Sequence, residues 1–421
     1  MSQKTKKILL IIGFIVLVLI FGFAIYYLFF LPLFAPPVAP PVTPPPAKPT
    51  ALPTIPPALN INAPIQPGAI IAPGLPPTVG VPAIPTVPGP ALSFTATGGL
   101  TSFNTIEPDT TLDPTMAANG KDLVYYDTQN GFIYNLTPDG QKKLLSDLPF
   151  KNVEKMTWSP NRQKAIMEYP DGSNTIYDFV QKKNITLPAQ WQDFQFSPDN
   201  QQIAFKDMRL DPENRYLSIS DTNGGNFKQI EPLNNKAADV TITWSPNNEY
   251  VGFYREAIDG SRSEVYPIGF NGENFKSFRV EGRDPRYVFA PDGNKLVYSV
   301  YSSYSNYNPR LWVINSKPDL LGTGRTDLSI DTWADKCTFA SNDVLYCAVP
   351  KTLKLGAGFR PDMADTTPDD FYKINVLTNS KELLAQPLFP TTAEKLILSA
   401  DGKSLYWLEK GTGQIKQMNL P

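Results

Sequence analysis

Histidine is absent from this sequence. Its absence removes the usual general base, the Ser-His and Cys-His nucleophile pairs, and most zinc and copper sites. Any chemistry must then run on carboxylates, lysine, tyrosine or arginine. Cysteine is nearly absent too, with two residues, which rules out a disulfide-dense scaffold and a cysteine-rich metal cluster. Excess charge is also missing. The 38 basic and 40 acidic residues leave a net charge of -2, so no long-range field draws the chain toward nucleic acid. Charge is scarcest near the N-terminus, where Lys48 is the only charged residue between Lys7 and Glu107.

Two low-charge segments fill that stretch. Lys4, Lys6 and Lys7 precede an uncharged apolar run from Ile8 to Leu31. At about 24 residues it is long enough to span a hydrocarbon core of roughly 30 Å with some tilt. The lysines predict a cytoplasmic tail over residues 1–7, a signal anchor over 8–31, and an extracytoplasmic remainder in the periplasm or at the cell surface. A cleaved signal peptide would have a shorter apolar region that ends in small residues. From Pro32 to about Pro90 lie roughly half of the chain's 43 prolines. Proline fixes φ and removes backbone donors, so residues 32–91 are expected to form a disordered or polyproline-II linker. Segments such as Pro41-Val42-Thr43-Pro44 would also suit a partner that reads proline helices.

The remainder, 92–421, repeats one local sentence. Phe289-Ala290-Pro291-Asp292-Gly293 reads as the end of a strand followed by a tight turn, and Lys295 to Tyr298 starts the next strand. Trp158-Ser159-Pro160-Asn161, Phe196-Ser197-Pro198-Asp199-Asn200 and Trp244-Ser245-Pro246-Asn247-Asn248 repeat it. Met116 to Gly120, Phe339 to Asp343 and Leu398 to Gly402 are looser copies. The seven copies recur about every 47 residues, the spacing of propeller repeats. Each interval has room for four strands, including outer strands predicted at Gln141 to Leu145, Asn226 to Ile230 and Asn274 to Phe278. The pattern predicts an all-β, seven-bladed β-propeller, and the long sixth repeat leaves six or eight blades open. The last repeat ends after its third strand. Leu100 to Ile106 is the expected fourth, which would close the ring.

These repeats resemble those of TolB-like, WD40-like (PD40) propellers, found in the periplasmic partner of the Tol-Pal system and in many bacterial envelope proteins. The resemblance implies the fold over about residues 100–421 and carries no site with it. Similar blades occur in prolyl-oligopeptidase-type peptidases, but without histidine or a Gly-x-Ser-x-Gly elbow no such activity is expected.

Cys337 and Cys347 flank the Ser341-Asn342-Asp343 turn and would face each other across that hairpin as a disulfide. Two reduced, buried thiols are the alternative. The loops joining second to third strands vary in length and hold the candidate binding residues: Arg209 and Arg215; Tyr254 and Arg255; Tyr301, Tyr304 and Tyr307; Phe359 and Arg360. Tyrosine with serine and asparagine suits recognition, and arginine and aromatic residues anchor interfaces, although the tyrosines would equally cover the blade beneath. Asp362, Asp365, Asp369 and Asp370 fit no calcium loop and read as a solvated acidic stretch. No catalytic set, metal site or cofactor motif emerges.

The expected function is a non-catalytic binding or scaffolding module for an envelope protein or glycan, membrane-attached through residues 8–31. The alternative is a propeller enzyme that hydrolyses or cleaves glycans or lactones at a carboxylate or metal site on the ring axis. Several Asp, Glu, Asn or Arg side chains converging on the axis would favour the enzyme. An apolar and backbone lining would favour the binding module.

Overall fold

The structure, a computed structural model, describes residues 93–421 together with Phe21 and Phe23. The anchor over 8–31, apart from those two phenylalanines, and the linker over 32–91 lie outside the described residues. Among the described residues no helix is long and apolar enough to cross a membrane.

Residues 93–421 form seven sheets, each built on a four-stranded antiparallel meander, and the first strands of successive sheets touch around most of the ring. These first, inner strands are Thr111–Met116, Lys155–Trp158, Trp191–Phe196, Val240–Ile242, Arg283–Phe289, Cys337–Phe339 and Ala393–Leu398, for blades 1 to 7 in turn. The sheets are therefore the blades of one ring.

The serine of the repeated turn explains how each hairpin is held. Ser159, Ser197, Ser245 and Ser399 are buried, and each hydroxyl accepts the backbone N–H of the residue five positions on, at 2.9 Å. Three residues after the serine position the turns enter the left-handed region, with asparagine or glycine in five of them, Gly120, Asn200, Asn248, Gly293 and Gly402, and Arg162 in the Ser159 turn. Asparagine and glycine adopt positive φ at least cost, which is why they recur there.

Second strands do not alternate between buried and solvated residues as a strand with one solvated face would. Instead Leu123–Asp127 is buried throughout, and Lys295–Tyr301 at every position but its ends. The reason is that each blade is covered on both sides. Val297, Leu311 and Val313 of blade 5 pack on Leu345, Cys347 and Ile374 of blade 6, while Leu296 and Tyr298 pack on Tyr250 and Phe253 of blade 4. The core is thus a series of apolar layers between blades. At about 25 cal/mol per Å² of apolar surface removed from water, those layers supply most of the driving force. Outer strands vary in cover: Lys142–Leu144 is wholly exposed, whereas Phe278, Val280 and Leu328 of other outer strands are buried.

Two strand positions differ from expectation. The segment expected as one closing strand divides. Asn104–Glu107 pairs antiparallel with Ile415–Asn419 and completes blade 7, while Leu100–Thr101 joins blade 6 as a fifth strand, parallel to its outer edge. Phe103 separates them, its ring edge-on to Trp407 at 5.2 Å in the layer between those blades, so the chain crosses from one blade to the next there. In blade 4 the outer strand is Phe278–Val280 rather than Asn274 to Phe278. The Glu273 carboxylate accepts the Asn271 N–H and lengthens the turn, and Phe275 packs edge-on against Tyr250 at 4.8 Å.

Candidate functional site

Because every blade is a meander, the loops from second to third strand share one face with the connections between blades. The repeated turns lie on the opposite face. On the loop face, the structure spreads the candidate residues over four blades.

In blade 3, Arg209 donates to the buried Asp207 carboxylate at 3.0 Å, and Arg215 donates to the Arg209 carbonyl at 2.8 Å. Both arginines brace their own loop, which leaves Leu210 at its tip 96% exposed. Tyr254 and Arg255 are not loop residues, because the second strand of blade 4 runs Tyr250–Ala257 and pairs them with Tyr266 and Val265. The Tyr254 hydroxyl accepts from Lys236 at 2.6 Å, and the Arg255 guanidinium is held by Asp284 and Asp239. These four residues are committed to local structure.

Blades 5 and 6 differ. The loop after Tyr301 makes one 3-10 turn, Ser303–Ser305, and then holds Asn306 and Tyr307 at φ of 53° and 56°. Successive non-glycine residues in that region cost conformational energy that their surroundings must repay. Here the blade 6 loop does so. Gly356 N–H donates to the Asn306 carbonyl at 3.2 Å and Gly358 N–H to the Tyr307 carbonyl at 2.8 Å. A Cβ on Gly358 would lie 2.5 Å from that of Tyr301, so only glycine permits the approach. Phe359 then lies edge-on to Tyr301 at 6.0 Å while remaining 67% exposed. Tyr304 is 74% exposed, and Tyr307 and Leu355 are exposed beside it. Tyr301 and Phe359 thus meet across the two loops, and Tyr304 and Tyr307 are exposed on the same blade 5 loop, so the two loops together present an aromatic platform. Arg360 adjoins it but is engaged by Asp362 at 2.8 Å.

The acidic stretch is not uniformly solvated. Asp369 is fully buried, with both oxygens on the Lys336 ammonium and one on the Ala393 N–H. Asp370 pairs with Lys351 and Asp362 with Arg360. Among the described residues no three Asp, Glu or Cys side chains come together as metal ligands. Across the turn of blade 6, Cys337 and Cys347 are directly paired in register, and their sulfurs are bonded at 2.08 Å.

The ring axis holds residues that the sequence reading missed. A cavity of about 590 Å³ is lined from inner strands by Asp113, Lys155, Asp193, Gln195 and Lys395, and also by Lys206 and Arg162. The axis is therefore charged, the property expected of the enzyme reading. Its carboxylates are occupied, however. Asp113 accepts the Met156 N–H at 2.8 Å, and Asp193 lies 2.8 Å from Lys206 and 3.6 Å from Lys155. Burial alone would raise the Asp193 pKa, but the two lysines outweigh it and hold the carboxyl below its ordinary range. No free acid-base pair results. A faint sequence signal existed: Asp113, Asp193 and Asp284 each sit at positive φ in a bulged inner strand, three to five residues before the aromatic or apolar residue that opens the repeated turn.

No family model matches the chain, and no curated protein matches it. Solved structures do. The β-propeller domain of Cps50 (Swd1) from Myceliophteria thermophila aligns with a TM-score of 0.52 and 11% identity, covering 76% of this chain and 100% of that one. The chain is a seven-bladed β-propeller. Similar too are an oligogalacturonate lyase in complex with manganese (TM-score 0.48, 14% identity, 75% of this chain and 90% of that one) and Kuenenia stuttgartiensis hydrazine synthase (0.49, 14%, 74% and 96%). At these identities the likeness is one of fold.

Proposed function

We propose that this chain is a membrane-anchored, TolB-like propeller that serves as a non-catalytic binding or scaffolding module for an envelope protein or glycan. The N-terminus is cytoplasmic and the propeller extracytoplasmic in this reading, with residues 8–31 as anchor and 32–91 as spacer. The observation that carries the binding role is the aromatic platform of blades 5 and 6. Its backbone is locked by two inter-loop hydrogen bonds, yet Tyr304 and Phe359 face solvent. Rigid, exposed aromatic side chains lose little entropy on binding, which suits them to interface anchors.

The second reading, a propeller enzyme, draws on the charged axial cavity. It is the weaker one because the axial carboxylates are already bonded to lysines and backbone. The test is a pulldown with the full-length chain from solubilised envelopes, run beside a glycan panel. The comparison is a variant with Tyr301, Tyr304, Tyr307 and Phe359 changed to Ala. A partner or glycan held by the parent and lost by the folded variant is the expected result. Equal retention by the variant would overturn the platform assignment. Turnover of a glycan or lactone that survives the four substitutions would move the function to the axis.

A further inference from the structure

A second cavity, of about 420 Å³, adjoins the axis nearer the repeated turns, and it shares Thr115, Arg162 and Lys395 with the first. These three residues mark a waist between the two spaces. The two cations among them, Arg162 and Lys395, have no direct ion pair, and Asp113 on the same cavity offsets their charge only in part. Lys155 and Lys206 of the upper cavity are engaged by Asp193, and Lys155 also by Glu168 at 3.4 Å. Arg162 places three of its N–H groups on neutral oxygens: the Met116 carbonyl at 2.7 Å, the Ser159 carbonyl at 2.6 Å and the Thr115 hydroxyl at 3.0 Å. No carboxylate pairs with it. The Lys395 ammonium makes no hydrogen bond and no ion pair with any described residue. Asp113 and Glu394 act on it only at longer range, and Arg162 repels it. Asp113 is already bonded to Met156 N–H, and Glu394 lies 3.4 Å from Lys410.

Two cations that face one confined space with no carboxylate in contact, and only the Asp113 charge at longer range, are costly to hold. Burial pushes the pKa of both groups down, as expected for cations short of a partner. Such an arrangement is maintained against its cost where a ligand supplies the missing charge. The remaining groups suit that ligand. Thr115 accepts from Arg162, so its own proton is free to donate into the space. Met156, Trp158 and Phe194 give the upper cavity an apolar wall for the body of a small molecule.

We infer that the waist between Arg162 and Lys395 binds an oxyanion, the carboxylate or phosphate group of a small organic acid or ester that enters the axial cavity. Lys395 supplies a charged donor, Arg162 its two remaining N–H groups and Thr115 its hydroxyl. The site is separate from the loop-face platform and does not depend on it.

The test uses the full-length protein in detergent, titrated calorimetrically with inorganic phosphate, sulfate and citrate. Phosphate and sulfate against citrate separates a phosphate-type from a carboxylate-type ligand. Saturable binding of at least one, at millimolar concentration or tighter, is expected. Lys395→Met should weaken it about tenfold or more. The same variant should melt at the same or a higher temperature without anion, because it removes a half-buried cation that has no ion-pair partner, and it should lose the anion-induced rise in melting temperature. Lys395→Gln, which keeps a polar head, should show the same loss of affinity. Absence of saturable binding by all three anions would overturn the assignment. So would unchanged affinity in both variants, or a Lys395→Met protein that is less stable than the parent without anion, since that would mark a structural lysine.

Discussion

The Lys336 ammonium lies 2.7 and 2.8 Å from the two carboxylate oxygens of Asp369, and neither side chain is open to solvent. The pair links the start of the inner strand of blade 6 to its third strand. Through the Ala393 N–H, at 2.7 Å, it also reaches blade 7. Lys336→Met leaves an unpaired buried carboxylate and should cost about 3–5 kcal/mol. Lys336→Met combined with Asp369→Asn should recover most of that loss. Urea unfolding of the two variants and the parent measures both effects. A single variant as stable as the parent would show that the pair holds nothing.

Ring closure rests on one buried acid. Glu107, at the end of the closing strand of blade 7, accepts from the Tyr125 hydroxyl, from Lys142 at 2.8 Å and from the Asp109 N–H at 3.0 Å. Tyr125 and Lys142 belong to blade 1, so this carboxylate joins the last blade to the first. Glu107→Ala strands a buried hydroxyl and a cation, and should cost about 2–4 kcal/mol. Limited proteolysis should then cut first near residues 93–107, where the freed strand frays.

The Cys337–Cys347 bridge closes a loop with a sequence separation of 10. On the chain-entropy account, a loop of this size stabilises by about 2–3 kcal/mol. Replacing both cysteines by alanine should lower the denaturant midpoint accordingly, with an unchanged slope. A reducing agent should bring the parent close to the variant and leave the variant where it was.

Asp193 predicts a pH dependence. Its folded-state pKa lies below the ordinary carboxylate value because Lys206 and Lys155 outweigh the opposing effect of burial. A depressed carboxyl contributes stability that is present above its unfolded pKa and is lost as the pH falls through its folded value. The stability gap between the parent and Asp193→Asn should therefore be full near about pH 7 and close below about pH 4. Urea midpoints measured across that range report it, and a gap that widens on acidification would contradict the assignment.

Much of this architecture is local in origin. Ser159, Ser197, Ser245 and Ser399 each bond within five residues of themselves, and Asn200, Asn248, Gly293 and Gly402 satisfy a backbone angle in the same turn. Such features repeat with the sequence, so the order of the blades was legible from it, while the long sixth repeat left the count at seven, six or eight. The closing strand was legible only in part. Its division at Phe103 depends on a packing contact with Trp407, some three hundred residues away.

The candidate site was less legible. The tyrosines of blade 5 and Phe359 of blade 6 were identifiable as exposed loop residues by type. That Tyr301 and Phe359 meet, while Arg209, Arg215, Tyr254 and Arg255 serve their own blades, follows from inter-loop and cross-strand contacts with no short-range signature.

By itself the sequence determined a ring of repeated blades, with seven as its first reading, because turn chemistry acts over a few residues and recurs with each blade. Tertiary structure alone decided what faces the axis. Asp113, Arg162, Asp193 and Lys395 come from four different blades, and their charges interact only once the closed ring gathers them around one cavity.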